Sequence, residues 1–502
     1  MEENHRRIVK NSAYMYIRMV FIMLVSLYTS RVVLEILGEE DFGIYTLVGG
    51  IVSIFTVLSG SLSASVQRFL NIGLGEGDME KTRGYFAQGL TIFSLICVLF
   101  LVVGESLGLW FVQTQLNIPT GREAATFWVY QFSLVAVLFS ILQIPFSGAV
   151  IARERMGFFA LLGILDVCLR LVVVILMHAF GTPDNLIWYA GVIAVIQILQ
   201  CVAYFIFALG KFPECVIRFQ WHRKLVREML SYMGLSFWGN TIVTCTQQGV
   251  NVLLNLFGGT LLNAATGVAR QVNVAVLRMI ECINTPIKPQ IVKSYASGDF
   301  TQMTLLFEKN VKYCTMLMAI LLFPMILEAE FILGIWLKDV PEYAVAFTRI
   351  VLIESFFAVF SYGMATVISA TGKLKNMEVY GRFITLAVLP VAYIVLKCGG
   401  APVWALLISM IAQICYVGYL FTDVRRKISL SLKDFSKNVL FPTVFLVFSL
   451  AICTIPEYIF IGEGVLRFFV VGFTVVVVAS FVAWNFCLDA TEKEFVSKLL
   501  KK

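Results

Sequence analysis

Residues 12–36, SAYMYIRMVFIMLVSLYTSRVVLEI, and residues 43–67, GIYTLVGGIVSIFTVLSGSLSASVQ, are apolar runs separated only by LGEEDF. Each is long enough to cross a hydrocarbon core of roughly 30 Å, which takes about 20 apolar residues as a helix. Comparable runs are centred in 85–111, 124–148, 157–180, 186–209, 232–257, 264–287, 311–336, 343–369, 377–396, 401–424, 438–461 and 464–487. The chain therefore reads as an all-α polytopic membrane protein of fourteen transmembrane helices, and the even number puts both termini on one face.

Lysine and arginine identify that face. The gaps on the side of the termini hold Arg6, Arg7 and Lys10, then Arg68, Lys81 and Arg83, then Arg153 and Arg155. They continue with Lys211, Arg218, Arg223, Lys224 and Arg227, and the later gaps on that side are equally basic, whereas the opposite gaps hold only Arg122, Lys338 and Lys397. The positive-inside rule places the termini in the cytoplasm. The start, MEENHRRIVKN, is basic like a signal peptide, but the apolar run behind it is too long and carries no small-residue cleavage site, so it is expected to stay as the first span.

A chain of 502 residues that is 59% hydrophobic and 14% charged, with mean hydropathy +0.85, leaves no soluble domain of useful size. The net charge of +7 lies in the loops, where lipid headgroups meet it, so the bilayer is the expected partner and nucleic acid is not. The 11 cysteines stand singly, nearly all within apolar segments, and no CxxC pair or ligand spacing exists. No metal or cofactor is expected. The glycine cluster Gly73-Leu74-Gly75-Glu76-Gly77-Asp78 lacks the Lys-Ser/Thr of a phosphate loop, and His5, His178 and His222 lie far apart in sequence, so neither ATP hydrolysis nor a catalytic triad is indicated.

A weak repeat divides the chain. Gly77-Asp78 after helix 2 recurs as Gly298-Asp299 after helix 8. This gives an N-terminal bundle over 1–209, a linker over 210–231, a second bundle over 232–425, and two further helices with a tail over 426–502. Six spans per half imply a pseudo-two-fold along the membrane normal, with a cavity between the halves. In the linker, Phe219, Trp221, Leu225 and Met229 alternate with His222, Arg223, Lys224 and Arg227, which suits either an interfacial helix on the inner leaflet or a plain connection.

Arginines inside spans are informative because each costs about 2.5–3.5 kcal/mol at mid-depth. Spacing of three or four pairs Arg31 with Glu35, Arg170 with Asp166, Arg278 with Glu281, Arg382 with Glu378, and Arg467 with Glu463. Arg349 lies near the outer surface and can snorkel. Arg18 and Arg270 have no acid on their own helices, so each needs an acid elsewhere or a hydrated anion-binding cavity. Amides and hydroxyls gather around them: Asn240, Thr244, Gln247, Gln248 and Asn251 on helix 7, Gln271 and Asn273 on helix 8. Glu105, Glu328, Glu330 and Glu354 have no local partner, and Glu354, deepest in its span, is a candidate proton- or cation-coupling group.

Residues 30–70 carry a family pattern: Arg31 at the outer end of helix 1, Leu37-Gly38, then Asp41-Phe42-Gly43-Ile44-Tyr45, and Arg68-Phe69 closing helix 2. This hairpin resembles that of the Wzx-type O-antigen and polysaccharide flippases, in the superfamily of multidrug, oligosaccharidyl-lipid and polysaccharide (MOP) exporters. The resemblance implies a non-enzymatic transporter. It would move an undecaprenyl-pyrophosphate-linked oligosaccharide from the inner to the outer leaflet of the bacterial inner membrane by alternating access, beside a polysaccharide polymerase and chain-length machinery. The candidate substrate-binding residues are then Arg18, Arg31, Arg270, Arg278, Asn240, Gln247, Gln248 and Asn273, since a sugar pyrophosphate calls for forked cationic donors beside amides. A cation-coupled multidrug antiporter of the same superfamily is the alternative. That reading expects a carboxylate deep in helix 1, where this chain has Arg18.

Overall fold

In a computed structural model, residues 2–114, 121–180, 184–337, 340–428, 430–462, 464–488 and 493 are described, with side chains undescribed for Arg31 and all of 46–62, among others. The described backbone is helical almost throughout. The long runs are α1 (Glu2–Glu76), α2 (Met79–Thr114), α3 (Glu123–Ala152), α4 (Met156–Phe180), α5 (Asn185–Lys211) and α6 (Arg223–Ala296). They continue as α7 (Phe300–Leu327), α8 (Ala344–Thr371), α9 (Asn376–Lys397), α10 (Val403–Ile428), α11 (Leu432–Phe460) and α12 (Val465–Phe486). Among the described residues, 10 helices are long and apolar enough to cross a membrane, and each coincides with a span read from the sequence. The four remaining expected spans fall in α1 and α6.

Both of those runs are hairpins. A straight helix of 75 residues would measure on the order of 110 Å, yet residues near both ends of α1 meet the end of α3. Asn11 Nδ2 donates to the Glu154 carbonyl at 3.3 Å, and a Cβ on Gly148 would lie 3.3 Å from Val66. The middle of α1 is at the opposite end of the unit, where the Ile36 carbonyl accepts from Asn185 Nδ2 at 3.3 Å. In α6 the reversal is at Gly259, whose φ of 69° and ψ of −165° suit only glycine.

The chain forms two compact units, Met1–Phe237 with Val292–Gly298, and Trp238–Ile291 with Asp299–Lys502. In the first, Val33, Leu37, Val129, Tyr130, Leu134 and Leu186 form a buried core. Arg122 clasps one end of it, bonding both Asp41 and, at 2.8 Å, Asp184, whose other oxygen caps α5 through the Leu186 and Ile187 amides. Asp41 thus serves an ion pair at the helix 1–2 turn, in addition to its acidic charge. At the basic end, Lys293 Nζ bonds Glu154 at 2.7 Å and Arg153 holds Glu214 with two bonds of 2.7 and 2.8 Å.

The repeated Gly-Asp pairs are the same device twice. Gly77 and Gly298 take positive φ of 72° and 78°, and the next residue caps a helix: Asp78 accepts from Lys81 N and Asp299 from Gln302 N, both at 2.9 Å. The neighbouring Gly75 has a packing role instead. A Cβ there would lie 2.5 Å from the Lys293 carbonyl oxygen and 2.8 Å from the Ala296 methyl. Gly75→Val should therefore destabilise the protein by about 1–3 kcal/mol through overpacking, read as a lower unfolding midpoint of the purified protein. An unchanged midpoint would mean that this contact yields freely.

The second unit is built around Leu254, Ala265, Ala269, Ile280, Phe347, Leu352 and Val359. Its charged pairs depart in part from helical spacing. Arg382 meets Glu378 at 3.3 Å as expected, as does Arg170 with Asp166 at 3.1 Å in the first unit. Arg467, however, forks onto Glu328 at 2.8 and 3.1 Å, with Glu328 fully buried. Its expected partner Glu463 lies outside the described residues. Glu281 faces Lys288 at 3.9 Å rather than Arg278, and Arg349 reaches Glu330 at 3.7 Å.

The linker divides into two parts. Residues 215–222 are not helical, with Phe212 and His222 at the two ends in extended conformation, and only from Arg223 does a helix begin. The β-branched and aromatic residues Val216, Ile217, Phe219 and Trp221 favour extended backbone over helix.

Candidate functional site

On the first arm of α6, Gln247, Asn251 and Asn255 recur every fourth residue and so share a helix face. Past the turn at Gly259, Asn263, Thr266, Gly267, Arg270 and Val274 recur at three- and four-residue steps on the second arm. These two faces, with Gln248, Val252 and Leu256, line one cleft of ≈ 580 Å³ within the second unit. That size suits a small ligand or a headgroup.

The lining is polar and cationic. Asn251 Nδ2 donates to Gln248 Oε1 at 3.3 Å, which orients both amides. The Oδ1 atoms of Asn251 and Asn263 are buried with no hydrogen-bond partner among the described residues. Unsatisfied buried acceptors cost about 1–3 kcal/mol each, so they call for a donor such as water or a ligand hydroxyl. Arg270, half-buried, has no carboxylate within 4.0 Å among the described residues. The charged group it acts on is Glu354 of α8, whose Oε2 is also buried without a partner among the described residues. One residue further, Ser355 Oγ donates to Asn273 Oδ1 at 2.6 Å and ties α8 to the second arm.

The cleft thus gathers Gln247, Gln248 and Arg270 from the residues picked out in the sequence, with Glu354 in electrostatic reach. It does not gather the others. Asn273 is engaged by Ser355, Asn240 is exposed about two turns beyond the cleft, and Arg278 is exposed further along the second arm. Arg31 has no described side chain. Arg18 belongs to the first unit, where its guanidinium lies 4.5 Å from the centre of the Phe159 ring and fills the room left by Gly163. Asn255 and Asn263 were missed, although the four-residue stripe that contains Gln247 already points to Asn255.

No protein-family model matches the chain. It is 24% identical over 165 residues to the uncharacterized membrane protein EpsK of Bacillus subtilis (strain 168), a match spanning 32% of each chain. Solved structures agree over far more of it. An outward-facing multidrug resistance MATE family transporter of the MOP superfamily superposes with TM-score 0.73 at 14% identity, covering 85% of this chain and 96% of that one. A MATE structure in complex with MaD3S gives 0.72 at 13% identity over the same shares. A MOP superfamily transporter from Pyrococcus furiosus, described as having a binding pocket of reverse polarity, gives 0.71 at 13% identity, covering 86% and 97%. The chain is an all-helical, multi-pass membrane protein, and over 85% of its length it has the fold of these MATE structures.

Proposed function

We propose that this protein flips an undecaprenyl-pyrophosphate-linked oligosaccharide, an O-antigen, capsule or exopolysaccharide repeat unit, across the bacterial inner membrane by alternating access. Both termini lie in the cytoplasm in this reading, and a polymerase with chain-length machinery takes the product. The observation that carries it is the α6 cleft, where Arg270 stands among Gln247, Gln248, Asn251, Asn255 and Asn263. Amides donate to and accept from sugar hydroxyls, and a guanidinium forks onto a phosphate. The same cleft disfavours the multidrug antiporter reading, because a fixed positive charge repels lipophilic cations. Glu354 is the proposed proton or cation coupling group, placed to sense whether Arg270 is neutralised by a ligand.

The test is rescue of surface glycan in a host lacking its own flippase. Wild type should restore surface glycan, and Arg270→Ala should not despite normal abundance. Glu354→Gln should leave whatever transport remains insensitive to an imposed pH gradient. Drug resistance without glycan rescue would overturn the proposal.

A further inference from the structure

Residues 215–222 form a strap at the basic end of the first unit, exposed along most of its length. Its beginning is pinned: Glu214 is held by Arg153, and the Pro213 carbonyl accepts from Arg83 Nε at 3.0 Å. Cys215 is buried, and that burial pushes its thiol well above the usual range, leaving it a neutral plug. Further on, the Gln220 amide donates to Thr91 Oγ1 at 3.2 Å. A segment fixed at these points nonetheless leaves Ile217, Phe219 and Trp221 at 51%, 67% and 60% exposure. The three stand at alternate positions of this non-helical segment, and together they present a large apolar surface to the surroundings.

Around that surface stand Arg218, His222, Arg223, Lys224 and Arg227, all exposed. Of the nearby acids, Glu214 is taken by Arg153, which leaves the exposed Glu228 against Arg218, Arg223, Lys224 and Arg227. Aromatic side chains with basic neighbours are the composition of the bilayer boundary, where rings sit at headgroup depth and each cation near an anionic surface gains about 1 kcal/mol.

We infer that this strap and the first turn of α6 form a docking site for the headgroups of anionic phospholipids in the leaflet beside the basic loops. Ile217, Phe219 and Trp221 enter the headgroup and acyl boundary, and the four Arg and Lys side chains hold lipid phosphates. The inference stands apart from the cleft and from what is transported.

The full-length chain would be reconstituted in nanodiscs containing phosphatidylglycerol or phosphatidylcholine brominated high on the acyl chain, at equal mole fraction. The fluorescence of Trp221 is read as the difference between wild type and Trp221→Phe. Brominated phosphatidylglycerol should quench it more than brominated phosphatidylcholine, by roughly fivefold for each headgroup held. That ratio should fall toward one at high salt in wild type, and at low salt in the combined variant Arg218→Gln, Arg223→Gln, Lys224→Gln and Arg227→Gln. The high-salt arm keeps the test valid should the combined variant fold poorly. Equal quenching by the two lipids would overturn the inference, as would quenching by aqueous iodide in place of lipid bromine. Protection from all three quenchers, with a dimer that Phe219→Ser abolishes, would assign the surface to a second copy and overturn it too.

Discussion

Arg467→Ala should cost about 3–5 kcal/mol of stability, because it strands the carboxylate of Glu328 in a site that is fully buried. Arg467 makes two bonds to that carboxylate and also lies 4.6 Å from the centre of the Tyr458 ring, so it joins α12 to the end of α7 and to α11. Beside it, Thr474 Oγ1 donates to Glu457 at 2.6 Å, a second link between α11 and α12. The measurement is the unfolding midpoint in detergent together with abundance in the membrane. Glu328→Leu combined with Arg467→Met should recover most of the loss, since replacing a whole buried pair by apolar groups is commonly neutral or better. A combined variant as damaged as Arg467→Ala would show that the pair does more than balance charge.

Arg270→Ala is expected to behave in the opposite way, losing function while keeping stability. No carboxylate bonds Arg270 among the described residues and the side chain lines the cleft, so its removal breaks no close ion pair and leaves only the longer-range charge of Glu354 uncompensated. A charge-assisted hydrogen bond is worth about 1.5–3 kcal/mol, roughly ten- to a hundredfold in affinity. Binding of inorganic pyrophosphate to the purified protein should weaken by that factor in Arg270→Ala and by less in Arg270→Lys, which keeps the charge but loses the fork. Wild-type binding should also weaken as salt rises. Equal affinity in wild type and Arg270→Ala would eliminate the cationic cleft.

Much of this architecture is legible from hydropathy because a span is a local property: ten of the expected helices need nothing but their own residues. The α1 hairpin is legible in the same way from its two apolar runs, and the α6 hairpin is supported by the parity of basic loops as well, since its arms are interrupted by amides. Within the site, helical spacing finds the Gln247 stripe and isolates Arg270. It fails where the partner is distant in sequence. The spacing rule pairs Arg467 with Glu463, but the chain brings up Glu328, 139 residues away. It also pairs Arg278 with Glu281, although Lys288 is where Glu281 turns. In the linker the alternation of apolar and basic residues left both an interfacial helix and a plain connection open, and the chain uses a non-helical segment up to His222 and a helix from Arg223.

The polarity of α6 also bears on how the protein is made. Its first arm carries Asn240, Gln247, Gln248, Asn251 and Asn255 and its second Asn263, Arg270, Gln271 and Asn273, so a translocon that samples the nascent chain segment by segment gains little by releasing either arm. Partners for the hairpin arrive later: Leu352 and Phe347 pack in the same core, and Ser355 satisfies Asn273. Insertion of the hairpin should therefore wait until α8 has left the ribosome. A glycosylation tag at the Gly259 turn should be modified in arrested chains that extend past Thr371 and spared in chains that stop at Ala296. Modification in both would mean that the arms partition unaided. The residues that give the cleft its donors and acceptors are in this view the ones that make it late to enter the bilayer.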